Sequence, residues 1–418
     1  MADIKPFQAL RPAKEYASRI AALPYDVFNR EEAKEEIKRE PMSFLRVDRA
    51  DALFDDSVEP YDEKVYEKAK EILDDMIKKG ELIQEKKACY YVYELIMDGR
   101  SQTGLVACAS IDDYLNNVIK KHENTREEKE EDRIRHVDVC DAQTGPIFLA
   151  YRSCDEINQV VSEVKQGEAL YSFRAPDGII HNVWVIEEEK QSERIRKAFR
   201  GIDRIYIADG HHRAASAVKV GLMRRKNVAS YTGKEEFNYF LSVLFPEDQL
   251  MILPYNRVVK DLNGYDLKGF LTAVEQYFTV EKLGKEPYAP DEKGTFGMYT
   301  DGEWYKLKAR ENIRNFKDPV EALDVSLLQK YLFDEILGIK DPRTDNRIDF
   351  IGGIRGLQEL ERRVKEGMAA AFSMFPTGIE ELFAVSDAGR LMPPKSTWFE
   401  PKLRSGLFIH KLSETETV

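Results

Sequence analysis

Five consecutive residues, Asp209 to Arg213, carry the side chains expected of a phosphate-binding corner. They follow the strand-like run Arg204 to Ala208 and precede an alanine-rich stretch that ends near Gly221, which predicts a strand, a tight turn and a helix. The first turn of such a helix offers backbone N–H groups without partners and the positive end of the helix dipole, so an anion is expected there. The alternative is a purely structural turn with polar capping residues. That alternative would account for a single His, but it accounts less well for five consecutive residues of these types.

The five residues have distinct predicted roles. Gly210 lets the backbone turn tightly, and the guanidinium of Arg213 is a planar fork suited to two phosphate oxygens. His211 and His212 add donors for the same anion, while Asp209 is the candidate ligand of a magnesium ion held between those oxygens. The corner therefore predicts a site for a phosphate or a nucleotide.

Transfer of a phosphoryl group to a hydroxyl also needs a carboxylate that positions or deprotonates the acceptor. Glu123, within the segment Lys121 to Thr125, is the candidate. The charge-dense stretch Lys120 to His136 offers a competing interpretation, since such a run usually forms a solvated helix face. Asp26, in a turn-like element after the apolar run Ile20 to Leu23, is a second carboxylate, for which the capping of a turn is the favoured interpretation.

A basic, hydroxyl-bearing strip near the C-terminus could hold a carboxylate or a phosphate if the tail reaches the corner. Its members are Lys395, Ser396, Thr397, Lys402 and Arg404. A surface strip without a ligand explains these residues nearly as well.

The bulk properties predict a folded cytoplasmic protein of several domains. Its 418 residues are enough for two or three domains, and 43% of them are hydrophobic. A net charge of -12 argues against nucleic acid or an anionic membrane as the general partner, and no apolar run resembles a signal peptide or a membrane span. The four cysteines lie far apart and predict neither zinc nor disulfides; Cys89 and Cys108 are expected to be reduced and buried.

Several elements that must position the corner are predicted from pattern. The apolar face of residues 63–80 indicates a helix ended by Gly80, and hairpins are predicted around Asp98-Gly99 and Asp177-Gly178. A helix from 188 to 200 leads to the strand before Asp209. Predicted domain bounds are 1–262, 263–390 and a tail, 391–418, that packs back on the body.

Common catalytic signatures are missing from the sequence. It contains no G-x-x-x-x-G-K-[ST], G-x-G-x-x-G, H-E-x-x-H or G-x-S-x-G motif. The usual templates of P-loop nucleotidases, dinucleotide-binding enzymes, zinc proteases and serine hydrolases are therefore excluded by motif.

Five segments together resemble the bacterial domain-of-unknown-function family 1015 over nearly the full chain. They are PFQALRP near the start, PYDV at 24–27, KHENT at 121–125, ADGHHR at 208–213 and MPPKSTWFEPKLRSGL at 392–407. DGHHR also resembles the phosphate-binding corner of the ParB and sulfiredoxin superfamily, in particular its free-serine kinases. That resemblance implies an α+β fold, with a mixed-sheet ParB/sulfiredoxin-like N-terminal part and a second α/β domain.

The resemblance also implies roles for individual residues. Glu123 becomes the base on the hydroxyl, and Asp209 assists with the nucleophile or the metal. His211, His212 and Arg213 would hold the transferred phosphate. The expected substrate-binding residues are His122, Thr125, Lys395, Thr397 and Lys402.

The function expected from these observations is a Mg2+-dependent phosphotransferase that uses ATP or ADP, with free L-serine as the leading acceptor and O-phosphoserine as product. A ParB-like nucleotide-binding switch or NTPase is one alternative. Removal of phosphate from O-phosphoserine, the reverse reaction, is another. The expected partners are the nucleotide and a small-molecule substrate; for the C-terminal region, closing the site, binding a second ligand and forming a homodimer all stay open.

Overall fold

The computed structural model describes residues 1–314 and 317–413. The α-helices in chain order are α1 (Ala17–Ile20), α2 (Arg30–Arg39), α3 (Leu45–Asp48), α4 (Glu63–Lys78), α5 (Ile111–Leu115), α6 (Glu127–Cys140), α7 (Asp155–Val164), α8 (Glu189–Phe199), α9 (His211–Asn227), α10 (Leu267–Val274), α11 (Asp324–Leu328), α12 (Gly356–Lys365) and α13 (Ile379–Asp387). The strands are β1 (Ile4–Lys5), β2 (Leu10–Pro12), β3 (Leu82–Gln84), β4 (Tyr90–Met97), β5 (Arg100–Ser110), β6 (Ile119–Lys120), β7 (Ala142–Gln143), β8 (Ile147–Tyr151), β9 (Tyr171–Arg174), β10 (Ile180–Ile186), β11 (Ile205–Asp209), β12 (Tyr239–Pro246), β13 (Met251–Leu253), β14 (Tyr255–Val259), β15 (Phe278–Gly284), β16 (Thr295–Thr300), β17 (Glu303–Ala309), β18 (Ile348–Gly352), β19 (Ala370–Met374), β20 (Trp398–Glu400) and β21 (His410–Lys411).

The chain divides into two compact units. The first contains residues 1–250 and the chain from Pro401 onward, and the second contains residues 251–400. The sequence placed the first boundary at 262, but β14 pairs with β18 and β19 of the second unit, so the change of unit comes before it. The predicted tail is likewise divided, because 391–400 belongs to the second unit. Residues 315, 316 and 414–418 of the predicted domains lie outside the described residues.

A nine-stranded mixed sheet forms the centre of the first unit. Its order is β6-β11-β8-β12-β5-β4-β10-β9, with β1 added beside β5. The pairs β6–β11 and β8–β12 are parallel, whereas the other pairs in the sheet are antiparallel. This arrangement confirms the predicted mixed sheet, and it places β11, the strand that leads into the corner, between β6 and β8.

Local sequence chemistry accounts for the elements that were predicted. In α4 the side chains of Val65, Ala69 and Leu73 are buried at helical spacing, and Gly80 follows the helix with a φ of 71°. The β4–β5 turn has positive φ at both Asp98 and Gly99, as a two-residue hairpin requires. Both predictions are confirmed.

The charge run 120–136 folds differently from a solvated face. It contributes α6, in which Glu130, Arg133 and His136 are each less than 9% exposed. The expectation of a solvated helix face is therefore wrong for this side of α6. Composition missed the burial because it does not show partners distant in sequence, such as Lys219 for Glu130, or the segments that pack on this side of α6.

The second unit contains a six-stranded sheet in the order β15-β17-β16-β19-β14-β18. All of its pairings are antiparallel. The mixture of helices and strands matches the expectation, but the α/β assignment of this domain, which implies parallel strands, needs correction. Hairpin connections such as that between β16 and β17 join neighbouring strands directly and produce antiparallel pairs.

The four cysteines are free thiols, and Cys89 and Cys108 are buried as expected. Burial raises the pKa of both thiols, so they act as small apolar side chains. Among the described residues, no helix combines the length and the apolar character needed to cross a bilayer.

Candidate functional site

The corner at Asp209 to Arg213 has the predicted strand-turn-helix geometry. Strand β11 ends at Asp209, Gly210 has a φ of 93°, and α9 begins at His211. A Cβ atom at position 210 would also lie 3.2 Å from Nε and Nη2 of Arg213. Glycine is therefore required twice, for the left-handed backbone and for the guanidinium that lies across the turn.

The start of α9 can accept an anion. The N–H groups of His211, His212 and Arg213 belong to the first helical turn, where no carbonyl four residues earlier lies within the helix. The N-cap residue is Gly210, which has no side chain that could cap these groups. The N–H groups and the helix dipole together favour a negatively charged oxygen at this position.

The Arg213 guanidinium is fixed by backbone contacts. Its Nη1 donates a hydrogen bond to the carbonyl of Pro146 at 2.7 Å. It also passes close to Gly145, where a Cβ atom would lie 3.5 Å from Nη1. The segment before β8 therefore holds the fork, and the rest of the guanidinium lies at the Gly210 turn.

The Asp209 carboxylate accepts two hydrogen bonds within the first unit. Its Oδ1 accepts from the backbone N–H of Gly210 at 2.9 Å, and its Oδ2 accepts from Nζ of Lys402 at 3.0 Å. Burial favours the neutral carboxyl, but Lys402 and Arg213 outweigh it and hold the pKa of Asp209 well below its usual range. Asp209 is an anion, and Lys402, a predicted substrate-binding residue, is its direct partner.

Glu123 reaches the corner through His211. The Oε2 atom of Glu123 lies 3.8 Å from Nδ1 of His211. The other ring nitrogen of His211, Nε2, accepts the backbone N–H of His122 at 3.5 Å. Burial lowers the pKa of His211 well below 6.5, so the ring is neutral and its single proton belongs on Nδ1, on the side of Glu123.

His122 packs edge-on against His211, with 4.4 Å between ring centroids and an interplanar angle of 89°. It is 1% exposed, and burial lowers its pKa to about 4. Its Nδ1 has no hydrogen-bond partner among the described residues. His122 is thus a neutral side chain that packs against the site, and its Nδ1 remains available as a hydrogen-bond acceptor.

His212 is held by the segment that follows Glu123. Its Nε2 accepts the backbone N–H of Arg126 at 3.0 Å, and burial lowers its pKa. The proton of the neutral ring is therefore on Nδ1, which keeps one donor for an anion.

Thr125, a predicted substrate contact, forms a hydrogen bond within the first unit. Its hydroxyl donates to the carboxylate of Glu130 on α6, which also accepts from Nζ of Lys219 on α9. The hydroxyl therefore joins the segment after Glu123 to α6, and through Glu130 to α9.

The predicted residues of the C-terminal strip belong to different units. Lys395 and Thr397 belong to the second unit, whereas Lys402 and Arg404 belong to the first. Arg404 donates from Nε to Nε2 of the buried His181 at 3.2 Å and pairs with Asp177. Arg404 therefore anchors the returning chain.

A second group of charged side chains, near the corner, was not predicted from the sequence. Arg133 is 7% exposed, bonds Asp132 through Nε at 2.8 Å and lies 4.1 Å from the ring centre of Tyr25. Asp48 is 4% exposed and accepts from the Thr144 hydroxyl at 2.7 Å. The PYDV segment with Tyr25 was a usable signal, but only its Asp26 was considered.

A magnesium ion fits this corner only in a limited way. Within residues 1–314 and 317–413, no group of three His, Cys, Asp or Glu side chains forms a metal cage. Mg2+ bound with phosphates often takes only one or two protein carboxylates, however, and the ionised Asp209 can supply one. Lys402 already occupies one of its oxygens, so Asp209 would be shared between the two cations.

Comparison with known proteins gives a family match. A family model described as "Protein of unknown function (DUF1015)" matches residues 4–326. No match was found among curated proteins.

Several solved structures show a low likeness to this chain. A mutant free serine kinase in complex with ADP is 16% identical, with a TM-score of 0.36, over 77% of this chain and 92% of that chain. A free serine kinase in complex with AMP is 16% identical, with a TM-score of 0.35, over the same shares. SbnI with a C-terminal truncation, from Staphylococcus aureus, is 11% identical, with a TM-score of 0.36, over 72% of this chain and 85% of that chain. Likeness this low does not identify the chemistry of the chain.

Proposed function

We propose, for a chain that belongs to the DUF1015 family of proteins of unknown function, that it transfers phosphate from a nucleotide to a small hydroxylated metabolite. One observation carries this proposal. The carboxylate of Glu123 lies 3.8 Å from His211, the first residue of the helix whose N-terminus forms the phosphate corner. A candidate base and a candidate phosphate cradle therefore meet in one place.

The cradle would hold the transferred phosphate through backbone and side-chain donors. The first-turn N–H groups of α9 and the Arg213 fork supply directed hydrogen bonds, and Lys402 adds positive charge beside Asp209. Phosphoryl transfer gains most of its rate from positioning and charge stabilisation, which such a cradle provides.

Glu123 would act as the base on the acceptor hydroxyl. As the acceptor oxygen forms its bond to phosphorus, the phosphorus–oxygen bond to the nucleotide breaks and the hydroxyl proton passes to the carboxylate. The Nδ1–H of neutral His211 faces that carboxylate and would hold its orientation. His211 is thus proposed as a positioning residue.

Asp209 is the proposed protein ligand of Mg2+, which would offset charge on the phosphate oxygens. L-Serine is the best candidate for the acceptor, because ADGHHR resembles the corner of free-serine kinases. We further propose that the first unit has a ParB/sulfiredoxin-like fold, on the basis of that motif and the mixed sheet. ATP and ADP are both retained as donors.

Phosphorus NMR tests the proposal directly. The full-length protein is incubated with Mg2+ and ATP or ADP, with and without L-serine, and separately with O-phosphoserine and the nucleotide product. We expect a phosphoserine signal that is absent from the Asp209→Asn variant, which should stay folded. Nucleotide hydrolysis that ignores every small hydroxyl compound would instead favour the nucleotide switch, and loss of O-phosphoserine alone would favour the reverse reaction.

A further inference from the structure

A cavity of about 310 Å³ lies in the helical part of the first unit. Its walls come from the 3-10 turn Tyr25–Val27, the end of α3 and the residues after it, α4 and α6. This volume falls at the lower end of the range typical of small-ligand sites. Of the residues that line it, only Asp26 was considered from the sequence as a site residue, and the capping of a turn was its favoured role.

The cavity is close to the phosphate corner. It shares Tyr25, Asp48, Arg133 and His136 with a smaller cavity of about 30 Å³, and Arg213 lines that smaller cavity. The loop before β8 connects the two places as well, because the Thr144 hydroxyl donates to Asp48 while the Pro146 carbonyl accepts from Arg213. A molecule in the larger cavity would therefore have the phosphate corner as its neighbour.

The positive charges at the cavity are largely compensated. Arg49 forms a two-bond pair with Asp51, with both N–O distances at 2.9 Å, and Arg133 bonds Asp132 at 2.8 Å. Burial lowers the pKa of Arg133, but Asp132, Tyr25 and, more weakly, Asp48 outweigh it and raise the pKa, so this guanidinium stays charged and bonded to Asp132. The two guanidinium groups offer little to an incoming anion.

The negative charges are in excess. Four carboxylates line the cavity against three basic side chains. Asp26 and Asp48 are the two carboxylates that no Arg or Lys of the described chain bonds, and Lys129 is the only lining base not already in a pair. Asp48 is 4% exposed; it accepts from the Thr144 hydroxyl and lies 4.0 Å from Nε2 of His136, which itself donates to the Val47 carbonyl.

The geometry points to this cavity as the acceptor pocket, selecting a small hydroxylated compound that carries a positively charged amino group. This inference rests on the proposed function. A buried carboxylate with unused lone pairs gains most from a ligand that donates several hydrogen bonds and brings a positive charge, which an ammonium group does. The ammonium would bind Asp48, with Asp26 at the exposed edge, and the hydroxyl would extend toward the corner.

Matched ligands isolate the ammonium group. L-Serine and L-glycerate differ in carrying an ammonium or a hydroxyl on the same carbon, and ethanolamine and ethylene glycol form a second pair. Binding of each to the full-length protein without nucleotide is measured by saturation-transfer NMR and calorimetry. We expect each amine to bind at least tenfold more tightly than its partner, and equal affinity within both pairs would overturn the inference.

Two variants assign the effect to the pocket. Asp48→Asn keeps the shape and should weaken amine binding at least tenfold, while ADP binding stays unchanged. Since Asp48 is buried, Asp26→Asn provides a variant at an exposed site, with an expected threefold to tenfold loss. Asp56→Asn, which removes an exposed carboxylate paired with Lys34 outside the cavity, is the matched control and should bind amines as the wild type does. Unchanged amine binding in both Asp48→Asn and Asp26→Asn would reject the pocket.

The outcomes separate this inference from the proposed function. Amines that bind through Asp48 but accept no phosphate would support the pocket and reject the phosphotransferase. Phosphate transfer to L-glycerate as fast as to L-serine would reject the amine selection and support the phosphotransferase.

Discussion

Lys402 and Asp209 are separated by 193 positions in the sequence, yet Nζ of Lys402 donates to Oδ2 of Asp209 at 3.0 Å. Both belong to the first unit, because the chain returns to it at Pro401. The returning segment pairs β21 with β7 and forms a bridge between Ala22 and Ser405. The phosphate corner thus combines residues from both chain segments of the first unit.

Replacing Lys402 with Met should lower the kcat/KM of phosphate transfer without unfolding the protein. The side chain of Lys402 is 18% exposed, so its ion pair with Asp209 is partly shielded from water. Loss of the charge-assisted bond should lower kcat/KM by about tenfold to a hundredfold, or ~1.5–3 kcal/mol. Steady-state kinetics of Lys402→Met and of Lys411→Met, a control in the same returning segment, make the comparison. Equal activity in the two variants would remove Lys402 from the site.

Replacing Gly210 with Ala should damage both stability and nucleotide binding. The φ of 93° costs a residue with a Cβ roughly 1–2 kcal/mol, and the new atom would lie 3.2 Å from the Arg213 guanidinium. Gly80→Ala is the matched control, because position 80 has a φ of 71° but open space around its Cβ. Urea unfolding should show a loss in both variants, and calorimetry should show weaker ADP binding only in Gly210→Ala. A normal ADP affinity in Gly210→Ala would contradict the assigned contact.

Stability should fall as the pH drops from 6.5 to 4, in part because of His122. Its folded pKa is about 4, below the ordinary value near 6.5, so in this interval the unfolded chain takes up a proton that the folded chain does not. The stability that depends on neutral His122 is fully retained above pH 6.5. By about pH 4 the free energy of unfolding has fallen by ~3 kcal/mol for this reason. Urea unfolding at several pH values should show a shallower pH slope for His122→Gln than for the wild type. Identical slopes would show that His122 ionises alike in both states.

The corner could be predicted from sequence because its signals are local. An apolar run, a glycine and an alanine-rich stretch stand next to one another in the sequence and predict a strand, a turn and a helix. The structure has these elements as β11, Gly210 and α9. The hairpin at Asp98-Gly99 is a similar case, since positive φ at two adjacent positions favours those residue types.

Long-range partners could not be predicted from one sequence. Arg133 looks like any residue of a charged helix, and although its partner Asp132 is adjacent in sequence, its burial beside Tyr25 depends on a distant segment. Asp48 has no motif, and its burial depends on Thr144, which is 96 positions away. Glu123 was a predicted candidate base, but no local pattern gave its distance from His211. Tertiary packing decides these placements, and local patterns do not encode it.

Replacing Thr125 with Val should reduce stability but not acceptor affinity. Its hydroxyl is bonded to Glu130, which also bonds Lys219, so the loss leaves a buried carboxylate with one partner fewer. The expected cost is ~1 kcal/mol in urea unfolding, with the KM for the acceptor unchanged. Thr232→Val, which removes the hydroxyl of an exposed Thr bonded to Glu235, should cost less and serves as control. A large rise in KM for Thr125→Val would instead support the substrate contact expected from the resemblance.

Replacing Glu123 with Gln should slow the chemical step and leave binding intact. An amide keeps the shape and the neighbour at His211 Nδ1 but cannot take the proton of the acceptor hydroxyl. Loss of a general base typically lowers kcat by about 100-fold to 10,000-fold. The protein should keep its unfolding free energy and its affinity for ADP, since Glu123 is partly exposed and the cradle is formed by other residues. Glu127→Gln, an exposed carboxylate in the first turn of α6, is the control. Rapid-quench measurement of a single turnover separates the chemical step from product release. A wild-type single-turnover rate in Glu123→Gln would assign the base to another carboxylate. Asp209 and Asp26 would then be the next residues to test.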